Sequence, residues 1–154
     1  NKDIVLGADN WLSLHRYRSH TDNSAEAIRK LKADGYRIVA TSSHKNSCML
    51  GDFDIRKGKA AIMIGTELTG ISDTIMNEAD EFLMIPMYGF TESFNLSVSA
   101  AIIMSQLTTR MRSADIRWQL SEEEINNLKL LWYTNNINRG DLVVKRFYEE
   151  REKK

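Results

Sequence analysis

Two short stretches of the chain combine residue types that can hold and orient a ligand. The first is Gly65-Thr66-Glu67-Leu68-Thr69-Gly70-Ile71-Ser72. Glycine tolerates sharp turns and lets a backbone approach a ligand closely, and Glu67 adds one carboxylate. No Gly-Lys-Ser/Thr follows, so this is not a phosphate-binding P-loop, and the Gly-x-Gly-x-x-Gly dinucleotide fingerprint is absent. A glycine-bounded turn after a strand is common, and taken alone it reads as structural. The second stretch runs from Ile85-Pro86-Met87 through Tyr88-Gly89-Phe90 to Ser93-Phe94-Asn95-Leu96-Ser97. Ser93, Asn95 and Ser97 are capping residue types for a helix that follows. For Ser93 and Asn95 that role is compatible with contact to a ligand.

The elements around these stretches decide where they sit. The spacing of Ala27, Ile28 and Leu31 predicts a helix over Asn23–Asp34, with Asn23 as cap, Glu26 three residues on and Gly35 as its stop. Tyr36–Thr41, Ala60–Ile64 and Phe82–Ile85 read as strands, with a short helix over Asp73–Ala79 capped by Ser72 or Asp73. Alternating strands and helices, with uniformly apolar strands, imply an α/β fold: a mostly parallel sheet with helices on both faces. The only proline, Pro86, ends the third strand. The loop from Pro86 to Asn95 is long for a connection between two buried elements, and such loops are usually functional. Both stretches then lie beyond the carboxyl ends of strands, where open α/β sheets bind ligands. A long helix is expected over Asn95–Arg112, with Leu96, Val98, Ala101, Ile102, Ser105 and Leu107 as a broad face. Another starts at a Ser121 cap with Glu122–Glu124 at its positive end and runs to about Trp132, and a last one spans Asp141–Glu150. A strand is also expected just before Arg16.

Composition sets the outer bounds. The 154 residues suffice for an α/β domain with a core. With 21 basic and 21 acidic residues the net charge is zero, which argues against a strongly basic nucleic-acid sponge. The charge is uneven, however: His15, Arg16, Arg18 and His20 cluster around Tyr17, and Arg110, Arg112 and Arg117 form a second group. Each group reads equally as a solvated face or as a phosphate track. The lone Cys48 forms no internal disulfide and fits a reducing, cytoplasmic setting. No apolar run is long enough to span a membrane. No metal-ligand pattern stands out. The chain opens Asn1-Lys2-Asp3 without an initiating methionine or a secretory leader, as a segment of a longer protein would.

Together the two stretches resemble the second and third signature motifs of the SpoU/TrmH family of SPOUT RNA 2′-O-ribose methyltransferases. The second motif, Gly-x-Glu-x-x-Gly-(Leu/Ile)-Ser, is matched throughout by Gly65–Ser72. The third, Ile-Pro-Met followed by a short loop and Ser-Leu-Asn-Val-Ser-Val-Ala, is matched with Phe94 for Leu, Leu96 for Val and Ser99 for Ala. The resemblance is strong from about Asn10 to Arg112, and Leu120–Tyr148 resembles more weakly the C-terminal helical extension of the tRNA-acting branch.

The resemblance implies a deep trefoil knot near the C-terminus, built from the loops after Thr41, Ile64 and Ile85. Those loops would hold S-adenosylmethionine largely through backbone groups at Thr41, Gly65, Ile85, Met87 and Phe94. It implies methyl transfer to a ribose 2′-hydroxyl, with Glu67, Ser93 and Asn95 as the polar residues of the active site. The family's first motif, which carries an arginine credited with activating the hydroxyl, has no counterpart in the chain, and Arg16 and Arg18 do not match it. RNA rather than DNA is the implied partner, because only RNA offers the 2′-hydroxyl, with Arg16, Arg18, Arg110 and Arg112 as candidate phosphate contacts. A tRNA is the favoured substrate, its D-loop guanosine the favoured nucleotide, and ribosomal RNA the alternative. A homodimer is implied, with the Asn95–Arg112 helix and Trp118, Trp132, Phe147 and Tyr148 as candidate surface. The expected division is a cofactor-binding catalytic domain over 1–115 and a helical extension over 116–154. A non-catalytic RNA-binding homologue, a base methyltransferase and a generic nucleotide-binding domain are the competing readings.

Overall fold

The computed structural model describes residues 11–18, 23–43, 46–66, 69–90 and 93–152. They form two compact units, one over residues 17–118 and one that joins residues before 17 to those from 119 onward.

In the first unit, α1 (Asn23–Ala33) leads into β1 (Arg37–Thr41), followed by β2 (Cys48–Met49), β3 (Ala60–Met63), α2 (Asp73–Glu78), β4 (Glu81–Met84) and α3 (Leu96–Ser113). Helix α1 ends where Gly35 takes a positive φ of 80° and its N–H bonds to the Lys32 carbonyl, while the Tyr36 N–H reaches back to Leu31. These two bonds satisfy carbonyls that the helix end leaves open. The four strands pair in parallel in the order β2-β4-β1-β3. Val39 stands opposite Ile62 on one side and Glu81 on the other, and Cys48 opposite Leu83.

Side chains alternate between the faces of a strand. Val39 and Leu83 join Leu50, Phe53, Ile103 and Leu107 in the main core cluster, with Ile62, Ile64, Ile85 and Ile102 packed against it. Ile28, Ile38 and Ala40 are buried outside that cluster, and α1 and α2 pack against each other and against β1. Arg37 enters the sheet between opposite partners: its guanidinium donates to Glu81 Oε1 and to the Asp54 carbonyl, and lies 4.6 Å from the centre of the Phe53 ring.

Parallel pairing agrees with the expected α/β architecture, and three details differ from it. No strand precedes Arg16 among the described residues, for residues 13–18 have no regular structure. Ala60–Met63 is only half-buried despite its apolar sequence, because β3 is an edge strand with one neighbour. The buried stripe of α3 runs through Ile103 and Leu107, while Leu96, Val98, Ala101 and Ser105 are exposed.

The second unit contains α4 (Glu122–Asn136) and α5 (Gly140–Glu152), packed against each other. Ser121 caps α4 in a full capping box: its hydroxyl accepts from the Glu124 N–H, and the Glu124 carboxylate accepts from the Ser121 N–H. Helix α4 ends at Asn136, about a turn beyond the expected end near Trp132. Trp11 meets Trp132 edge to face, with ring centres 6.0 Å apart. Few side chains here are buried, and Leu130, Leu131, Tyr133, Leu142, Val143, Phe147 and Tyr148 are all about half exposed or more. Among the described residues, no helix is long and apolar enough to cross a membrane.

Candidate functional site

Strands β1 and β4 end side by side, and the chain leaving each of them turns over the sheet's carboxyl edge. A cavity of about 530 Å³ opens there. Its walls are Thr41, Ser42 and Ser43 after β1, Leu83 to Ile85 and Met87 at the end of β4, Gly70, Ile71, Asp73 and Met76 from the α2 side, and Ser93, Phe94 and Ser99 leading into α3. A smaller hollow shares Thr41, Gly70, Ile71, Ser93, Phe94 and Ser99 with it and adds Ile64, Gly65, Thr66 and Leu96. Sites for small molecules typically occupy about 300–1,000 Å³.

The loop after β3 is folded tightly on itself. Thr66 and Gly70 exchange two backbone hydrogen bonds, of 2.9 and 3.0 Å, and the Thr66 and Thr69 hydroxyls meet at 2.7 Å. Gly65 sits directly against this turn. A Cβ built at Gly65 would lie 2.2 Å from the Gly70 carbonyl carbon and 2.4 Å from the Ile71 nitrogen. No side chain fits there, so close backbone contact is what requires glycine at the mouth of the smaller hollow.

All five expected cofactor residues reach these walls: Thr41, Ile85, Met87 and Phe94 the larger hollow, Gly65 the smaller. The Thr41 hydroxyl donates to the Met63 carbonyl at 3.1 Å, which pins the end of β1 to that of β3. Ser93 lines both hollows. Asn95 lines neither; it is the N-cap of α3, its side-chain oxygen accepting the Ser97 N–H at 2.9 Å. Glu67 and His20 fall outside the described residues. Ser42, Ser43, Asp73, Met76 and Ser99 are wall residues that sequence reasoning missed. The signal for the two serines was their place directly after a strand's carboxyl end.

Of the four arginines expected to contact phosphate, Arg16, Arg18 and Arg112 are exposed and form no ion pair among the described residues. Arg110 differs from these three. Its guanidinium is turned inward, donating to the Leu50 carbonyl at 2.9 Å and the Phe53 carbonyl at 2.6 Å. Those bonds clamp α3 to the segment after β2 and turn one donor of each terminal nitrogen inward.

The chemistry of the walls fits a nucleoside-like molecule. Hydroxyls and backbone groups alternate with Ile, Leu, Met and Phe side chains, and Asp73 is the one charged residue lining the larger cavity among the described residues. A flat heterocycle with a polar edge suits such a lining, and a single carboxylate in neutral surroundings favours a cationic group.

A parallel sheet with a nucleoside-sized cavity beyond its carboxyl edge defines an α/β small-molecule-binding domain. The family model of the SpoU rRNA methylase family matches residues 2–105, and the chain belongs to that family. It is 45% identical over 143 residues to a tRNA (guanosine(18)-2′-O)-methyltransferase of Borreliella burgdorferi, covering 93% of this chain and 63% of that protein. The enzyme of that name from Aquifex aeolicus is 32% identical over 139 residues, covering 89% of this chain and 64% of the other. The chain thus spans somewhat less than two thirds of the length of these curated relatives. Among solved structures, the A. aeolicus TrmH/SpoU tRNA modifying enzyme superposes with a TM-score of 0.72 at 33% identity, covering 90% of this chain and 69% of that one. The SpoU methyltransferase AviRb from Streptomyces viridochromogenes, in complex with the cofactor AdoMet, gives a TM-score of 0.52 at 25% identity, covering 62% and 37%.

Proposed function

We propose that this chain forms the cofactor-binding part of an enzyme that methylates a ribose 2′-hydroxyl in tRNA, with a D-loop guanosine as the target. The observation that carries the proposal is the pair of adjoining hollows at the ends of β1 and β4, whose walls include Thr41, Gly65, Ile85, Met87, Ser93 and Phe94. When bound, S-adenosylmethionine supplies a methyl carbon already activated by its sulfonium, so a methyl passes from sulfur to the ribose oxygen as the hydroxyl loses its proton. The protein's task is then chiefly to place the partners and to exclude water. Thr41, Ile85 and Met87 offer backbone groups for the cofactor, and the side chains of Ile71, Met76 and Phe94 offer apolar walls. Asp73 supplies a negative charge at the rim. Ser93 lines the cavity just before α3, and Asn95, two residues on, belongs with it by the family motif, its capping bond fixing its side chain in one orientation. Glu67 belongs to this group by the family motif.

Three finer readings accompany the proposal. The loops after Thr41, Ile64 and Ile85 form the family's trefoil knot, a reading supported by their meeting at one hollow. The protein works as a homodimer, supported by the exposed apolar residues of α3, α4 and α5. A cytoplasmic location is supported by a tRNA substrate. tRNA is preferred to ribosomal RNA because the relatives that cover the helical unit as well are named for tRNA.

Calorimetric titration with S-adenosylmethionine should show one site on the chain, and absence of heat would overturn the cofactor assignment. Mapping 2′-O-methyls in RNA from cells lacking the gene tests the substrate: loss at one D-loop guanosine is expected, whereas loss in ribosomal RNA alone would replace tRNA as the target.

A further inference from the structure

Two aromatic rings beside the cavity are exposed almost entirely to solvent. The chain leaves the cavity wall at Met87 and rejoins it at Ser93. Between these points stand Tyr88, 93% exposed, and Phe90, 106% exposed. Gly89 separates them at a φ of +108°, a conformation open to glycine and strained for other residues. A Cβ at Gly89 would meet nothing within 4 Å, so backbone conformation rather than packing calls for the glycine. The turn thus presents two rings to solvent within a few residues of the walls that would hold the methyl donor. Exposed rings of this size are costly in water, and aromatic side chains carry both a large apolar surface and a π-face.

We infer that Tyr88 and Phe90 form a stacking platform for bases of the substrate RNA, next to the nucleotide that receives the methyl group. This rests on the methyltransferase reading above and adds residues to its substrate site. Three observations favour a base as the occupant. A ribose presented to this cavity brings its own base and its neighbours within reach of the adjacent turn. Sequence-specific recognition of RNA characteristically stacks splayed-out bases on Phe and Tyr rings. A second copy of the chain fits less well here, because two rings bury roughly 300–500 Å², short of the roughly 800 Å² per partner of a stable protein interface.

The test uses the complete gene product, with steady-state methylation of a tRNA transcript and calorimetry for S-adenosylmethionine. In Tyr88→Ala/Phe90→Ala the KM for RNA should rise about tenfold or more, as loss of one or two stacked bases requires, with the Kd for S-adenosylmethionine unchanged. Tyr88→Phe and Phe90→Tyr keep a ring and should restore the KM to within about twofold. An RNA carrying 2-aminopurine beside the target should be quenched on binding the wild type and stay bright with the double variant. An unchanged KM for RNA in an active double variant overturns the stacking platform alone. So does a double variant that loses self-association while its bound RNA still shows quenching. A wild-type protein that binds S-adenosylmethionine and methylates no RNA overturns the parent reading instead.

Discussion

At the scale of the residue, Asn95 carries two roles that substitution can separate. Its side-chain oxygen accepts the Ser97 N–H and caps α3. The family motif also places it among the polar residues of the active site. Asn95→Ala should abolish methyl transfer and cost about 1 kcal/mol of stability through the lost cap. Asn95→Asp keeps the cap, so thermal unfolding should return to wild type while turnover stays lost. Recovery of turnover in Asn95→Asp would reduce Asn95 to a cap alone. Gly65 answers to a different constraint. In Gly65→Ala the new methyl meets the Gly70 and Ile71 backbone at 2.2–2.5 Å, so the turn must move. Affinity for S-adenosylmethionine should fall at least about tenfold, about 1.4 kcal/mol, measured by calorimetry. The sheet, which does not depend on the turn, should keep its circular dichroism. The glycines and serines of the two motifs were legible in the sequence itself. The cavity was not, since Ser42, Met76 and Ser99 come from three separate segments and no spacing within one segment signals their meeting.

At the scale of the element, legibility followed length and capping. Helix α4 announced itself through the Ser121 cap and the acidic Glu122–Glu124 in its first turn; the cap is formed, and the structure adds the reciprocal bond from Glu124 that completes a capping box. Strand β2 could not be read, because Cys48–Met49 is too short to show a period. Helix α3 was placed correctly and its face only in part: Ile102 and Leu107 do pack into the core, whereas Leu96, Val98, Ala101 and Ser105 are exposed and Ile103 was not in the expected face. Apolar residues lie almost all round it, so the pattern alone did not select Ile103 over Leu96 and Val98. Arg110 explains part of that orientation, since its bonds to Leu50 and Phe53 fix the last turns of α3. Arg110→Met should lower stability by about 2 kcal/mol, through two part-buried carbonyls left without their charged donor, read from the urea midpoint. Arg112→Ala should leave that midpoint within about 0.5 kcal/mol. If Arg112 touches phosphate, its variant binds tRNA more weakly and lowers the salt slope by about one. Equal midpoints for the two variants would count against the clamp.

At the scale of the whole molecule, α4 and α5 expose more apolar surface than a two-helix unit ordinarily leaves in water. Phe147 and Tyr148, both 54% exposed, meet each other edge to face, and Arg151 lies over the Phe147 ring. Sedimentation of the gene product should give a dimer, and Phe147→Glu/Tyr148→Glu should shift it to monomer at micromolar concentration. A dimer insensitive to that change would move the interface elsewhere, with the exposed face of α3 next to be tested.

The strand order carries a consequence for synthesis. Strand β4 is the last of the four to leave the ribosome and lies between β1 and β2, which precede it by some thirty to forty residues. Until it arrives, β2 has no partner and β1 is half paired. Nascent chains that end before Met84 therefore hold an open slot rather than a smaller finished sheet, and pairings between distant strands form slowly. The cavity needs the ends of both β1 and β4, so it exists only after that insertion. Affinity for the methyl donor would accordingly stay absent until β4 inserts and appear only as the chain beyond it supplies Met87, Ser93, Phe94 and Ser99, so ligand binding becomes a clock for the stage after the sheet is complete.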